Sequence, residues 1–507
     1  MLRSRLTVKT FYGATMTVRV RYAPSPTGSP HVGNLRTAIY DWLFARTQGG
    51  TFIARLEDTD RDPKRYQPEF IHDIEQSLNY LGIMPDEWWV SGGPVGPYIQ
   101  SERLDLYKKT ADDLIAKGSA YHCYCTGERL TEMRERQQKQ GLPTGYDRRC
   151  RYLSDVDRAK YEAEGQPYTV RLAVPLEGKT TYHDHVYGDI TFENKLIDDQ
   201  VLLKSNGWPT YHLAVVVDDH AMEITHVIRG EDWMPSTPKQ ILLYDALGWK
   251  APEWVHVPLI VGKDKKKLSK RHGSTQFTEF ISEGYLPEAL MNFLILLGWS
   301  AGDENREVFT REEILERFSI KGITNHPAVF DYDKLKWMNG EYIRACSPER
   351  LLELCLPWLI ESGYLSNPPT EDQKALAMKV MPLITDRMKL LSECADYSSF
   401  FFTAPNEPDE KGRRKWLSGD EALPRLKLII EAFEAHSDEL TIENAEAITN
   451  AIAEQSGGNR GPVIHTLRIA VTGRTVGPGL FETLEVLGRD RVIERLKRAL
   501  QWVVNVE

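Results

Sequence analysis

Two short motifs, far apart in the chain, combine residue types suited to phosphate chemistry. The first is Pro24-Ser-Pro-Thr-Gly-Ser-Pro-His-Val-Gly-Asn-Leu-Arg, and the second is Lys267-Leu-Ser-Lys-Arg. The first sits where a strand-like run gives way to a helical one. There Gly33 removes a side chain that would block a nucleotide, and His31 can donate to phosphate oxygens. The start of the helix offers free N–H groups and the positive end of its dipole. Either motif alone is a weak signal; the two together, in this order and with Pro24-Ser-Pro-Thr-Gly ahead of the first, are specific.

A third group has metal-ligand character. Cys123-Tyr-Cys125 and Cys150, with Tyr146 between, lie among Arg148, Arg149 and Arg151. Soft thiolates favour zinc, yet the Cys-x-Cys pair is closer than the usual two-residue gap and only three cysteines are present. A zinc ion and ordinary buried cysteines both remain open on chemistry alone, and His122 or Tyr152 could also complete a shell.

The elements that must position these residues follow from periodicity. Thr17 to Ala23 alternates as a strand, Leu35 to Ala45 has helical spacing, Thr51 to Glu57 is strand-like, and Pro68 to Leu81 is helical. That βαβα order predicts a parallel sheet. Two further β-rich runs, Leu213 to Val217 and Ile224 to Ile228, predict strands that rejoin it, which makes roughly Gln100 to Lys204 an insertion. From about Thr278 the pattern turns helical, as in Leu286 to Leu297 and Pro348 to Ile360, so the last third is expected to be mostly α. Asn406 to Gly412 and Ser456 to Pro462 are expected to be loops, and there is no internal repeat.

The 507 residues predict several domains, and a net charge of -10 argues against indiscriminate coating of nucleic acid. Lys263 to Arg271 and Arg489 to Arg498 are nevertheless locally basic; the second group reads as a solvated helix face. No apolar run reaches the roughly 18 to 20 residues of a membrane span. Met1 to Thr15 carries Arg3, Arg5 and Lys9 without an acidic residue or a secretory apolar core, and Met16 is the plainer start. Six cysteines, three of them clustered, do not make a disulfide framework, and a cytoplasmic location is expected.

With His31-Val-Gly-Asn and Lys267-Leu-Ser-Lys-Arg standing for its two nucleotide motifs, the sequence resembles the class I aminoacyl-tRNA synthetases, and from Met16 onward their glutamyl branch. Asn34 stands where many class I enzymes carry His, a variant that can still donate a hydrogen bond. The glutaminyl branch usually carries Pro-Glu-Pro-Asn where this chain has Pro24-Ser-Pro-Thr, and ends in β-barrels.

The resemblance implies ATP-dependent activation of glutamate with Mg2+, followed by transfer to the terminal adenosine of tRNA(Glu), with tRNA(Gln) as a second acceptor left open. It implies catalytic roles for His31 and Lys270, and ATP contacts from His31, Gly33, Asn34, Trp233, Lys267, Ser269 and Lys270. Glutamate would meet Arg21, Ala23, Ser25, Glu57, Tyr211 and Arg229, because arginine pairs with a carboxylate and rejects an amide. Arg387 falls near an anticodon-reading arginine, and Cys123, Cys125, Tyr146 and Cys150 match a structural zinc shell that some relatives hold and others lack. The implied fold is α/β plus all-α. Residues 16–100 and 205–262 form a Rossmann-type sheet, 101–204 an inserted α+β acceptor-binding domain, and 263–345 a stem-contact region with the Lys267 loop. Residues 346–405 and 406–507 form the helical anticodon-binding half, residues 1–15 an extension, and the expected state is a monomer.

Overall fold

The computed structural model describes residues 17–62, 64–302 and 306–503; the expected extension and Met16 lie outside them. The chain divides into two compact units: the described residues up to Phe280 with Leu290–Asp331, and Ile281–Ala289 with the residues from Tyr332 onward.

The first unit starts as the periodicity predicts. Strand β1 (Arg19–Tyr22) and strand β2 (Thr51–Ala54) pair in parallel, with Arg19 opposite Thr51 and Tyr22 opposite Ala54. Helix α1 (Val32–Thr47) crosses between them and buries Leu35, Ile39, Leu43 and Phe44. Helix α2 (Glu69–Leu81) follows and stops at Gly82, whose φ of 63° gives the left-handed C-terminal turn.

Next come α3 (Leu104–Ala116), β3 (Ala120–Cys123), α4 (Gly127–Lys139), α5 (Asp155–Ala163), β4 (Thr169–Leu172), β5 (Lys179–Asp184), β6 (Gly188–Glu193) and β7 (Val201–Leu203). β3, β4 and β7 form an antiparallel sheet, while β5 and β6 form a hairpin. The chain then returns through α6 (Tyr211–Ala221), β8 (His226–Gly230), α7 (Thr237–Leu247) and β9 (Glu253–Val257). β8 and β9 are parallel, and β5 adds to the far side of β9, giving the order β6-β5-β9-β8. Thr225 N donates to the Arg19 carbonyl at 2.9 Å, which sets the start of β8 beside β1.

One expected strand is a helix. Leu213 to Val217 lies inside α6, and all five side chains are buried. A continuous apolar run suits a buried strand and a helix enclosed on all sides equally well; here the helix packs between sheet and inserted segment, and burial around its circumference hides the 3.6-residue period. The strand expected to end at Ile228 is present, as β8.

The second unit is helical, as expected of the C-terminal part. Helices at Pro348–Glu361, Glu371–Ile384, Ala422–Ala435, Ile442–Gln455, Arg460–Thr472 and Arg489–Ala499 enclose a core that includes Cys355, Val380, Phe433, Leu467 and Leu484. Ser347, Thr370 and Thr441 cap three of them through side-chain oxygens. The loop expected over Asn406 to Gly412 is only half loop, because a helix begins at Glu410. Gly412 sits inside it because a Cβ there would lie 2.1 Å from Ile469 Cδ1. The helix Arg460–Thr472 likewise claims Gly461 and Pro462, with Asn459 as its cap and Pro462 in the first turn.

The Arg489 to Arg498 group is not a uniformly solvated face. Arg495 is buried and donates to the Val471 carbonyl at 3.0 Å, and Arg491 donates to the carbonyls of Phe401, Val486 and Leu487. These cations serve as fasteners for otherwise unsatisfied backbone oxygens.

Candidate active site

The two nucleotide motifs meet through backbone pairing. Val32 N donates to the Thr275 carbonyl at 3.1 Å and Phe277 N to the Pro30 carbonyl at 2.9 Å, so the segment after Lys267-Leu-Ser-Lys-Arg runs along the first motif. His31 is the N-cap of α1: its Nδ1 accepts from Gly33 N at 3.1 Å. That hydrogen bond places the ring proton on Nε2, which keeps a donor for an anion beside the helix start. Burial, and then the charge of Lys267, hold the His31 pKa below its ordinary value. Lys267 is exposed and pairs with Asp232 at 2.9 Å, an ion pair weak enough to exchange for a phosphate. Ser269 N donates to His272 Nδ1 at 3.1 Å, shaping the loop. The Lys270 side chain lies outside the described residues.

At the C-terminal ends of β1 and β8, where open α/β sheets place ligands, lies a cavity of about 270 Å³. Arg21, Ala23, Ser25, Asn34, Glu57, Tyr211, Arg229 and Trp233 all line it. Tyr211 and Trp233 rings lie 4.5 Å apart.

Beneath the cavity is a buried ionic network. Arg21 Nε donates to Asp219 at 3.1 Å, and Arg55 bridges Asp219 at 2.8 Å and Glu57 at 3.0 Å. Arg103, Tyr107 and Gln100 all donate to Asp218. Burial alone would raise the Asp219 pKa, but Arg21 and Arg55 more than offset it and hold the carboxyl below its usual range. Glu57 is raised by burial despite Arg55. Asp41 is fully buried with neither oxygen hydrogen-bonded among the described residues, and desolvation pushes it far above an ordinary carboxyl. The adjacent Asp58 caps the turn at Ser101 through bonds of 2.8 and 2.7 Å.

Arg229 is held differently. Nε donates to His256 Nε2 at 3.1 Å and Nη2 to Thr237 Oγ1 at 2.8 Å, while Nη1 is buried without a hydrogen-bond partner. Among the described residues no carboxylate lies within ion-pair distance of it. Burial therefore lowers its pKa, the signature of a buried cation lacking an anion.

Away from this cavity, the inserted segment brings Cys123, Cys125, Cys150 and Tyr146 together. The Cys125 and Cys150 sulfurs are 3.5 Å apart, and Tyr146 Oη lies 3.3 Å from Cys123 and 3.5 Å from Cys125. All cysteines are free, and hydrogen bonds from Cys125 and Cys150 depress the Cys123 thiol. His122 instead packs on the Tyr168 ring at 4.0 Å, and Tyr152 is exposed. Arg387 belongs to the other unit, exposed in a turn at Thr385–Arg387.

Residues 17–337 match the family profile of class I tRNA synthetases (E and Q), catalytic domain, and residues 350–500 match an anticodon binding domain. The chain belongs to the class I glutamyl and glutaminyl tRNA synthetases. Within that family it is similar to glutamate–tRNA ligases along nearly its whole length. It is 46% identical to the Moorella thermoacetica glutamate–tRNA ligase, covering 96% of this chain and 98% of that one. It is 44% identical to the Borreliella burgdorferi glutamate–tRNA ligase, covering 96% and 99%. A crystal structure of the Elizabethkingia meningosepticum glutamate tRNA ligase in complex with its amino acid superposes with a TM-score of 0.88 at 34% identity, covering 96% of this chain and all of that one.

Asp41, Asp219, Asp184 and His256 lie outside the synthetase motifs. An apolar run that suits a strand and a buried helix alike hides Asp219: only helical geometry brings Asp218 and Asp219, past that run, under β1 and β2.

Proposed function

We propose that this chain is a glutamate–tRNA ligase in which the cavity beside β1 and β8 receives L-glutamate. The observation that carries the reading is Arg229: a buried cation with an unpartnered Nη1 lining the same small cavity as Arg21. A side-chain carboxylate supplies the missing anion, whereas an amide would turn a donor toward guanidinium and leave it unpaired. Glu57 suits the substrate ammonium, Tyr211 closes the wall, and Ala23 and Ser25 bound the substrate's other side.

ATP would lie over the start of α1, with His31 Nε2, Gly33, Asn34, Lys267, Ser269 and Lys270 toward its phosphates and Trp233 offering a partly exposed ring. Mg2+ would neutralise phosphate charge. The α-carboxylate of glutamate attacks the α-phosphorus; the bond to the bridging oxygen breaks and pyrophosphate leaves. A ribose hydroxyl of the terminal adenosine of tRNA(Glu) then attacks the acyl carbon and AMP departs. The protein supplies position and charge, and no side chain becomes covalently attached.

The helical unit would carry the tRNA, with Arg387 at the anticodon end. A structural zinc fits the four residues around Cys123: thiolate ligands at tetrahedral zinc stand about 3.8 Å apart, near the observed sulfur spacing. No helix among the described residues is long and apolar enough to cross a membrane.

The test is aminoacylation with labelled glutamate, ATP and Mg2+ on purified tRNA(Glu) and tRNA(Gln), with glutamine as the control amino acid. Charging of tRNA(Glu) by glutamate alone is the expected result; charging of both tRNAs identifies a relaxed ligase. Absence of charging overturns the reading.

A further inference from the structure

At the N-terminal ends of β8 and β9, opposite the end that carries Arg229, three side chains converge. His226 opens β8, Glu253 opens β9 directly across from it in register, and His185 follows the last residue of β5. His185 N donates to the Trp254 carbonyl at 2.9 Å, which fixes the third residue against the same strand end. His185 Nε2 lies 2.7 Å and His226 Nε2 3.4 Å from one and the same oxygen, Glu253 Oε2. The three ligand atoms all fall within 4.8 Å of one another.

We infer that His185, His226 and Glu253 form a binding site for a divalent transition-metal ion of the zinc type. Two imidazole nitrogens and one carboxylate oxygen are a donor set that such ions favour. Around a tetrahedral ion with bonds near 2.0 to 2.1 Å, ligand atoms stand about 3.4 Å apart, so small shifts from the observed spacing admit the metal. One ring is also oriented from behind: His226 Nδ1 lies 2.9 Å from Thr225 Oγ1, which itself accepts from Arg19 N at 2.9 Å. A histidine whose second nitrogen is fixed in this way presents the first toward the ion. His226 packs edge-on against Phe44 at 4.9 Å, which narrows its rotation.

The site is accessible, since Glu253 is exposed and a cavity of about 610 Å³ opens beside His226 and Glu253. Three protein ligands leave a fourth position for water. An ion here would tie the turn after β5 to the starts of β8 and β9, clamping the hairpin β5–β6 onto the sheet that holds Arg229. It lies outside the nucleotide and amino-acid residues and shares no ligand with the Cys123 group.

The test titrates Co2+ into the full chain after chelator treatment and follows absorption. Cobalt at cysteine gives an intense thiolate-to-metal band in the near ultraviolet; cobalt at two histidines and a carboxylate does not. The expected result is a thiolate-free component in the wild-type protein, weakened on the order of tenfold or more in H185A and in E253Q. Thr225→Val, which removes the orienting hydroxyl together with its bonds to the Arg19 N–H and carbonyl but no metal ligand, should weaken the same component less. The His185 ring is partly exposed and, among the described residues, its ring contacts are those with His183 and His226, and circular dichroism will check that H185A keeps the fold. In the wild-type protein the imidazole nitrogens of His185 and His226 should also broaden selectively with Co2+. Binding confined to the thiolate band, an unchanged thiolate-free component in both variants, or sharp resonances from both rings overturns the proposal.

Discussion

Arg229 Nε stands 3.1 Å from His256 Nε2, and the other ring nitrogen of His256 lies 2.6 Å from Asp184. Arginine Nε only donates, so His256 Nε2 accepts and its proton resides on Nδ1, directed at the carboxylate. Asp184 and His256 are both wholly buried. The chain of three therefore locks the plane of the guanidinium and leaves one face of the fork for a ligand.

That relationship gives the first prediction. His256→Ala removes an acceptor from a charged donor, a loss of about 1.5 to 3 kcal/mol. If Arg229 holds the glutamate side chain, KM for glutamate should rise about tenfold to a hundredfold, with kcat changed far less. His256→Gln, which can still accept, should recover much of it. Steady-state kinetics with varied glutamate checks this; equal losses in kcat and kcat/KM would instead mark a role confined to the transition state.

The sequence made His31, Gly33, Arg21 and Arg229 legible because their motifs are contiguous and flank recognisable strand ends. His256 and Asp184 were not legible, since they come from β9 and the inserted segment and meet only through the sheet order β6-β5-β9-β8. Nor was the helical state of Leu213 to Val217, whose apolar residues carry no period when every side is buried. The arginines after Gly488 read as solvent-facing because charge is ordinarily outside; nothing local shows that Arg495 has a carbonyl to reach.

Asp219 offers the second test. It accepts from both Arg21 and Arg55 in a site with almost no solvent. Asp219→Asn leaves two buried guanidinium groups short of one negative charge, which should cost about 3 to 5 kcal/mol. Glu193→Gln, breaking the exposed and solvent-screened pair with Lys179, should leave stability essentially unchanged. Hydrogen exchange of the β1 and β2 amides measures the first, and exchange along β5 and β6 the second.

Acid sensitivity has a defined sign. Burial holds His256 below its ordinary 6.5, with Asp184 only partly offsetting it, and pushes His212 down to about 4, with Lys239 and Arg229 adding to the effect. Below 6.5 the unfolded chain binds protons on these rings that the folded chain refuses. Their contribution to stability is thus complete above pH 6.5 and is lost as pH falls toward 4. The melting temperature should be level on the neutral side and drop through this window, and H212Q should flatten part of the drop.

The Cys123 group predicts a metal-dependent fold of the inserted segment. Tyr146 Oη accepts from Cys150 N at 3.0 Å and sits near two sulfurs, so Tyr146→Phe removes both a backbone acceptor and an oxygen donor. With zinc bound there, chelation should increase exchange in β3 and β4 while leaving the helices over residues 442–499 unaffected. Tyr146→Phe should weaken retention of zinc on the order of tenfold. Unchanged exchange on chelation would assign these cysteines to packing alone.

Recognition of tRNA should separate two arginines that look alike in sequence. Arg387 is exposed in the turn after the helix Glu371–Ile384, close enough to Arg468 for its charge to lower that group's pKa, though burial lowers it more. Two neighbouring cations favour an anionic partner, and an exposed guanidinium can stack on or hydrogen-bond an unpaired base. Arg495, by contrast, is buried, its pKa is pushed down to about 10 by desolvation, and its donor is committed to the Val471 carbonyl. Arg387→Ala should therefore weaken tRNA binding; if the contact is to phosphate, the slope of log affinity against log salt falls by about one, and if to a base, discrimination between tRNA(Glu) and tRNA(Gln) changes instead. Arg495→Met should leave both properties intact and alter only the stability of the helical unit. Filter binding across a salt series with both tRNAs measures each, and equal effects from the two substitutions would show that Arg387 acts through the fold rather than through contact.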